Sequence, residues 1–415
     1  MQGLSLLLEV CCISAGLLIE NGSETYRAED TVLYLCKKCN VKAGVAVLST
    51  TLFIQIEKDG QAGQAVRRFN QRTIHLDCIA QVNTVVRAFC DDTITLEEAY
   101  ARLTMLRRKE LYAWPLQVLC YCATAILALL LFGGGWYDVL PAFVCGLVYP
   151  CMPARWKDRI SSQIILFFVF GIVVAAIAVF FARWCSQVRP VAVIAASALS
   201  LYPGAALVNA IRDTMYGDLV SGVARFAEAF FKFGMLAAGA AAVLGLFGDG
   251  VQLTEAGGDQ KWFWLAQFVV AFFVVLCLSI EQSAPGRTLF ASSLIGAVSY
   301  FICRLLAAMV PFMPAAYFLA ALLMAFCSEG LARVMKLPAT VFLISSIMVL
   351  VPGKGLFDSM LYMASGMYSQ FLQAGVDTMV QMIAMSLAIA IGAFVFRSLF
   401  APAKGMAPEK AEYKQ

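Results

Sequence analysis

From Trp114 onward the chain is a succession of apolar runs, each close to the length a helix needs to cross a bilayer. A hydrocarbon core of about 30 Å takes roughly 20 apolar residues in α-helix. Such runs are read at residues 114–132, 138–153, 162–183, 191–210, 220–247, 262–280, 289–309, 312–331, 338–352 and 378–398. Backbone amides in lipid must be satisfied within their own segment, which restricts an open chain to helices. Composition agrees, with 61% hydrophobic and 14% charged residues, against roughly half and one quarter in soluble domains. The expected fold is an α-helical polytopic membrane protein of about ten transmembrane helices.

Residues 1–111 differ in texture, because charges recur every few positions. Leu4, Leu8, Cys11, Ala15 and Leu18 fall at helical steps and predict a first amphipathic helix. With Glu9 and no basic leader, this stretch is not read as a signal peptide. A second helix is predicted over Ser23–Cys39, capped by Ser23 with Glu24 in its first turn. Val45–Glu57 reads as a strand pair or one long strand, Asp59–Gly60 as a turn, and Ala65–Phe69 as a short strand. Helices follow near His75–Phe89 and Leu96–Arg108, the latter capped by Thr95. This is a small α/β soluble domain, in which Glu24–Arg27 and Arg87 read as contacts to the mouth of the membrane part or as a solvated face.

The two membrane halves repeat. Leu201-Tyr202-Pro203-Gly204 matches Leu350-Val351-Pro352-Gly353 at an offset of 149 (352 less 203). The same offset pairs Gly217 with Gly366 and Asn209 with Asp358. Five spans per half set the copies in opposite senses, an inverted repeat of the kind that holds its site between copies near the midplane. Proline removes a donor and glycine tolerates unusual dihedrals, so each Pro-Gly unwinds its helix and frees backbone groups. Asn209 and Asp213 share a helix face. The expected substrate-binding set is Pro203, Gly204, Asn209, Asp213, Pro352, Gly353 and Asp358, suited to a small zwitterion. Arg212, Asp218, Arg225, Glu228 and Arg304 are coupling or gating candidates, since charges at membrane depth are costly. Glu228 is expected to pair with Arg225, and Glu329 with Arg333; Glu281 is another charge beside a span.

Loop charge favours cytoplasmic termini. The even-numbered turns carry Arg155, Lys157, Arg159, Arg212, Arg225, Arg287, Arg333 and Lys336, and the tail adds Arg397, Lys404, Lys410 and Lys414. The loop 248–261 is acidic, with Asp249, Glu255 and Asp259. Arg183, Arg189 and Lys354 run against that pattern.

Several functions find no support in the residues. A net charge of +4 gives no electrostatic footprint for nucleic acid. No GxxxxGK[ST] loop is present for ATP-driven transport. The single histidine, His75, argues against a histidine-based metal site or triad. The fourteen cysteines read as small apolar core residues. Cys36–Cys39, with Cys78, Cys90 and His75, leaves a metal or redox alternative open, although that CxxC suits a helix turn better. Neither a cofactor nor a resident metal is expected.

The chain resembles the threonine/serine exporter family of bacterial inner-membrane proteins. The likeness rests on Asn21-Gly22-Ser23-Glu24-Thr25-Tyr26-Arg27-Ala28-Glu29, Val47–Leu52, Val82-Asn83 and Arg87 in the soluble part. In the membrane part it rests on Tyr202-Pro203-Gly204, Leu207–Asp213, Gly217-Asp218, Ser221-Gly222, Ala224-Arg225 and Glu228, then Leu337–Ala339 and Val351–Gly353. The resemblance implies export of small hydrophilic metabolites, L-threonine and L-serine in the named members, driven by the proton gradient. Split relatives, in which the second module is a separate subunit, are linked to a dicarboxylate such as succinate. Lys354-Gly355 departs from the pattern and points toward a more anionic substrate. A membrane-anchored hydrolase and a non-transporting sensor are the alternatives of another class.

The expected organisation is a cytoplasmic domain at 1–111, membrane repeats at 112–250 and 251–400, and a cytoplasmic tail at 401–415. The expected partners are a small-molecule substrate and the lipid bilayer, with a homo-oligomer compatible with either.

Overall fold

In the computed structural model the described residues are 2–69, 73–106, 111–152, 163–247 and 264–400. The loop charges Arg155, Lys157, Arg159, Asp249, Glu255 and Asp259 lie outside them, as do Lys404, Lys410, Lys414 and the side chain of Arg397.

The N-terminal domain is built as its pattern demands. Helix α1 (Gln2–Glu20) buries Leu7, Cys11, Ala15 and Leu18 against α2 (Thr25–Lys38), α3 (Leu76–Cys90), α4 (Leu96–Met105) and the sheet. The Val45–Glu57 stretch is a hairpin, β1 (Lys42–Val47) and β2 (Thr51–Lys58), closed between Leu48 and Thr51. Leu52, Ile54 and Ile56 alternate inward along β2. Asp59–Gly60 turns the chain into β3 (Gln61–Arg68), longer than the short strand expected there. Helix α2 starts at Thr25 with Glu24 at its cap position, so Ser23 does not cap it as its residue type suggests. The Glu24 carboxylate is engaged elsewhere, as described below. Cys36 faces Cys11 with 3.8 Å between sulfurs, and His75 caps α3 by accepting the Cys78 amide at 3.1 Å.

The membrane part is a series of rods. The first half contains α5 (Trp114–Leu131), α6 (Trp136–Gly146) continued by α7 (Val148–Cys151), α8 (Gln163–Trp184), α9 (Pro190–Ser197), α10 (Gly204–Met215) and α11 (Leu219–Phe247). The second contains α12 (Trp264–Glu281), α13 (Leu289–Met309), α14 (Met313–Met335), α15 (Ala339–Ile347), α16 (Gly353–Ala364) and α17 (Tyr368–Leu399). Seven described helices are long and apolar enough to cross a membrane, α1 among them; α9 with α10, bent by 57°, makes an eighth candidate. Helix α1 packs inside the N-terminal domain. The runs at 138–153 and 262–280 form apolar helices that are short for a full crossing.

The repeat holds to the residue at the breaks. Moving α10 by 149 positions gives both bounds of α16. Pro203 has φ −76°, ψ 45° and Pro352 φ −73°, ψ 53°. Each proline centres a tight turn, Gly204 N to Tyr202 O and Gly353 N to Val351 O, both 2.7 Å. Both short helices close on a left-handed glycine, Gly217 (φ 99°) and Gly366 (φ 75°). The closing bonds match as well: Asp218 N to Asp213 O at 2.8 Å, and Met367 N to Tyr362 O at 2.9 Å.

The copies run in opposite senses. Arg212, late in the first broken rod, and Thr340, at the start of the second, both bond Glu24 of the N-terminal domain. The first rod therefore runs toward that domain and the second runs away from it.

Small residues bring the long helices close. A Cβ on Gly171 of α8 would strike the Leu236 carbonyl of α11, and one on Gly239 of α11 would strike Phe168 O. Ala320 and Ala388 occupy the matching places between α14 and α17, fully buried. Such seams let backbones approach where lipid removes the hydrophobic drive between helices. Gly171→Val and Gly239→Val should each destabilise by about 1–3 kcal/mol through overpacking. Melting of the detergent-purified protein should fall by several degrees, whereas Gly245→Val, with nothing within 4 Å, should leave it unchanged.

Candidate functional site

Two features organise the polar chemistry of the membrane part: the meeting of the breaks, and the seal that the N-terminal domain places over one of them. The breaks touch. A Cβ on Gly353 would run into the Tyr202 ring, and one on Gly204 would lie 2.9 Å from Met348 Sδ and 3.2 Å from Val351. Tyr202 and Val351 are repeat-related, so each glycine admits the residue two before the other glycine. Pro203, Gly204, Pro352 and Gly353 are all buried and brought together as expected.

The seal begins with Gly22. It ends α1 at φ 91°, and Ser23 N bonds Leu18 O at 2.9 Å, a glycine-closed helix end. The turn projects residues 22–26 onto α10, α11 and α15. Asn209 Nδ2 donates to Gly22 O at 3.0 Å, and Arg225 Nη2 donates to Ser23 O at 3.0 Å. Thr25 donates its amide to Asp213 at 3.3 Å and its hydroxyl to Asp218 at 2.7 Å. Glu24 enters deepest, fully buried. It pairs with Arg212, lies 3.3 Å from Arg27 Nε, and accepts the Thr340 hydroxyl at 3.1 and 3.2 Å. Arg225 Nε also pairs with Asp213 at 3.2 Å, and Tyr26 stacks on Tyr216 at 4.2 Å.

Burial works to raise the Glu24 carboxyl, and the Arg212 and Arg27 guanidinium groups overcome it, holding it down at about 2. Burial likewise opposes the charge on Arg27, yet Tyr26, Glu24 and Glu329 outweigh it and raise the guanidinium. A second contact ties the domain down. The first amides of α3 donate outward, Leu76 N to Gln282 O at 3.0 Å and Asp77 N to Ser283 O at 2.9 Å.

On the opposite face a cavity of about 350 Å3 opens. Lys354, Asp358, Tyr362 and Ser365 of the α16 segment line it with Val191 and Leu244. Lys354 pairs with Asp358 inside it. Asn209 and Asp213 therefore do not converge with Asp358; one set is covered by the N-terminal domain and the other faces a cavity.

Several expected pairings change partner. Glu228 pairs with Lys232 at 2.8 Å, because Arg225 is drawn to Asp213. Arg333 donates to Phe400 O and lies over the Phe396 ring, and Glu329 instead supports Arg27. Arg304 is exposed near the end of α13, within reach of an interface for a long side chain. Arg87 is exposed as well. Arg183, Arg189 and Lys354, which run against the charge rule, each have a local partner: Phe247 O at 2.9 Å, Asp138 at 3.0 Å and Asp358. Of the surface offered as a contact to the membrane mouth, Glu24–Arg27 makes that contact and Arg87 does not; Thr340 was not foreseen, since its partner Glu24 lies 316 positions away.

Removing one member of this buried network leaves its counter-charges unpaired. Glu24→Ala and Arg212→Ala should each cost about 3–5 kcal/mol. The double variant should cost less than the two together, measured as a double-mutant cycle on thermal unfolding. Since the folded Glu24 carboxyl is depressed below about 4.3 for a free glutamate, its contribution is complete above that value. It is lost as pH falls through about 2, so the Glu24 share of domain docking, read as the difference between wild type and Glu24→Ala, should be constant between pH 5 and 8.

Residues 9–247 match the family model for threonine/serine exporters, and residues 267–397 match a second one, "Threonine/Serine exporter, ThrE". The two cover most of the chain, in the fused form of a two-module arrangement. Over 227 residues the chain is 23% identical to "Probable succinate transporter subunit YjjP" of Klebsiella aerogenes, spanning 52% of this chain and 85% of that one. No solved structure matches. With its first module alone covering more than half of the sequence, the chain belongs to the threonine/serine exporter family.

Proposed function

We propose that the protein is a secondary transporter that exports small polar metabolites, L-threonine and L-serine foremost, across the bacterial inner membrane with its termini in the cytoplasm. The family supports a carrier rather than an enzyme. The observation that carries the reading is the pair of oppositely directed broken helices meeting at their Pro-Gly turns, with a cavity holding Lys354 and Asp358 on one face and a seal on the other. A carrier needs such a shape, because it exposes its site to one side at a time.

The cavity volume lies in the range of small-molecule sites, roughly 300–1,000 Å3. Its chemistry suits a zwitterion. Lys354 presents an ammonium to a carboxylate, Asp358 presents a carboxylate to an amino group, and Tyr362 and Ser365 supply hydroxyls. The two charges neutralise one another when no ligand separates them. The proton gradient is the driving force in this reading, with Asp358 as the carboxylate that lines the cavity.

A second reading is favoured by one residue. Lys354 adds a cation beside the break, and the Klebsiella aerogenes relative is a probable succinate transporter subunit. A dicarboxylate would use the lysine at one end and oppose Asp358 at the other.

Counterflow in proteoliposomes separates these. Vesicles preloaded with L-threonine or L-serine should accelerate uptake of the labelled amino acid, and a protonophore should abolish net export. Lys354→Ala and Asp358→Asn should each lower the rate at least about tenfold, the loss of one hydrogen bond to a charged group. Counterflow of succinate alone would select the second reading. Absence of counterflow for every amino acid and dicarboxylate tried would defeat both.

A further inference from the structure

The repeat that shapes the open cavity must shape a second vestibule on the other face. Moving its lining back or forward by 149 positions names the counterparts: Val191 maps to Thr340, Asp358 to Asn209, Leu361 to Arg212, Tyr362 to Asp213 and Ser365 to Tyr216. These are the residues that residues 22–26 of the N-terminal domain touch. The fold therefore builds one vestibule twice. One copy is open, and the other is filled by a segment of the same chain.

What fills it is a carboxylate. Glu24 is fully buried, with Arg212 and Thr340 of the membrane part on its two oxygens. Two further polar atoms in the cluster, Arg212 Nε and Asn209 Oδ1, are buried and have no hydrogen-bond partner among the described residues. A single carboxylate thus leaves one donor and one acceptor of this vestibule unused. A molecule with both a carboxylate and a donor group would use them.

We infer that the vestibule beneath the N-terminal domain is a binding site for a small carboxylate, and that Glu24 is its resident surrogate. The inference rests on the carrier reading of the membrane part and adds to it a site and its regulation. An incoming amino acid places its carboxylate on Arg212 and Thr340 and its amino group toward Asn209 Oδ1 and Asp213. It thereby displaces Glu24, and residues 22–26 leave the vestibule. The α3 contact to Gln282 and Ser283 keeps the domain attached while they do so. The seal opens when, and only when, something of the right charge is present to replace it.

The test uses the full chain in lipid nanodiscs. Binding of L-threonine, succinate and L-threoninamide, which lacks the carboxylate, is measured by calorimetry. Hydrogen exchange of residues 20–28 is followed with and without each. In the wild type a carboxylate probe should speed exchange over 20–28 at least about tenfold, while L-threoninamide should not. Glu24→Ala removes an occupant held at high effective concentration, so the carboxylate probe should bind it about tenfold tighter or better. Arg212→Lys, which keeps the charge and loses the fork, should weaken binding. If Glu24→Ala does not fold, the wild-type exchange result decides alone. Unchanged exchange with bound probe, equal or weaker binding to Glu24→Ala, or release by L-threoninamide would each overturn the inference. Transport is scored separately: export without release of residues 20–28 overturns the surrogate role and leaves the carrier reading standing, whereas release without export does the reverse.

Discussion

One buried carboxylate holds the two parts of this protein in register. Glu24 is taken wholly out of water, which is costly for a charge unless its partners are close and well oriented. Those partners come from three places: Arg27 from its own domain, Arg212 from the first broken helix and Thr340 from the second repeat. Each element must therefore be in position before the charge can be buried. The arrangement of α10, α15 and the α1–α2 turn is best understood as the set of positions compatible with that burial. Asp213 repeats the principle on a smaller scale, between Arg225 and the Thr25 amide.

The membrane part adds a different constraint. Two copies of one backbone have drifted in sequence until little but their turns remains common. The shared features are those that side chains cannot substitute: a proline with no amide to donate, a glycine beside it, and a left-handed glycine at the far end of the short helix. Elsewhere the copies differ freely. Asn209 answers to Asp358, Arg212 to Leu361 and Asp213 to Tyr362. One copy thus presents a surface that the N-terminal domain covers, and the other a surface that lines an open cavity.

Much of this was legible in the residues. Apolar runs marked the rods because lipid leaves a helix few alternatives, and Pro203 and Pro352 announced the breaks. Alternation placed β2, although the length of β3 exceeded what Ala65–Phe69 suggested. What could not be read was partnership across long separations. Asn209 and Asp213 are four apart and correctly share a face, but the sequence does not say that Gly22 and Thr25 occupy it. Arg225 was given to Glu228 because local spacing is visible, and Asp213 won it because burial makes a nearer, drier carboxylate the stronger partner. Glu24 was read as a first-turn acid on a surface open to solvent or to the membrane mouth, and its partners Arg212 and Thr340 decide for the second.

The contact between the two Pro-Gly turns has a mechanical consequence. Glycines at 204 and 353 put bare backbone where each half leans on the other, and Tyr202, Met348 and Val351 reach into the places a Cβ would take. Backbone met by side chains at contact distance resists compression, and a bulkier residue at either glycine would force the two turns apart. The two turns are thus a keyed joint, each carrying the slot that a side chain of the other half occupies.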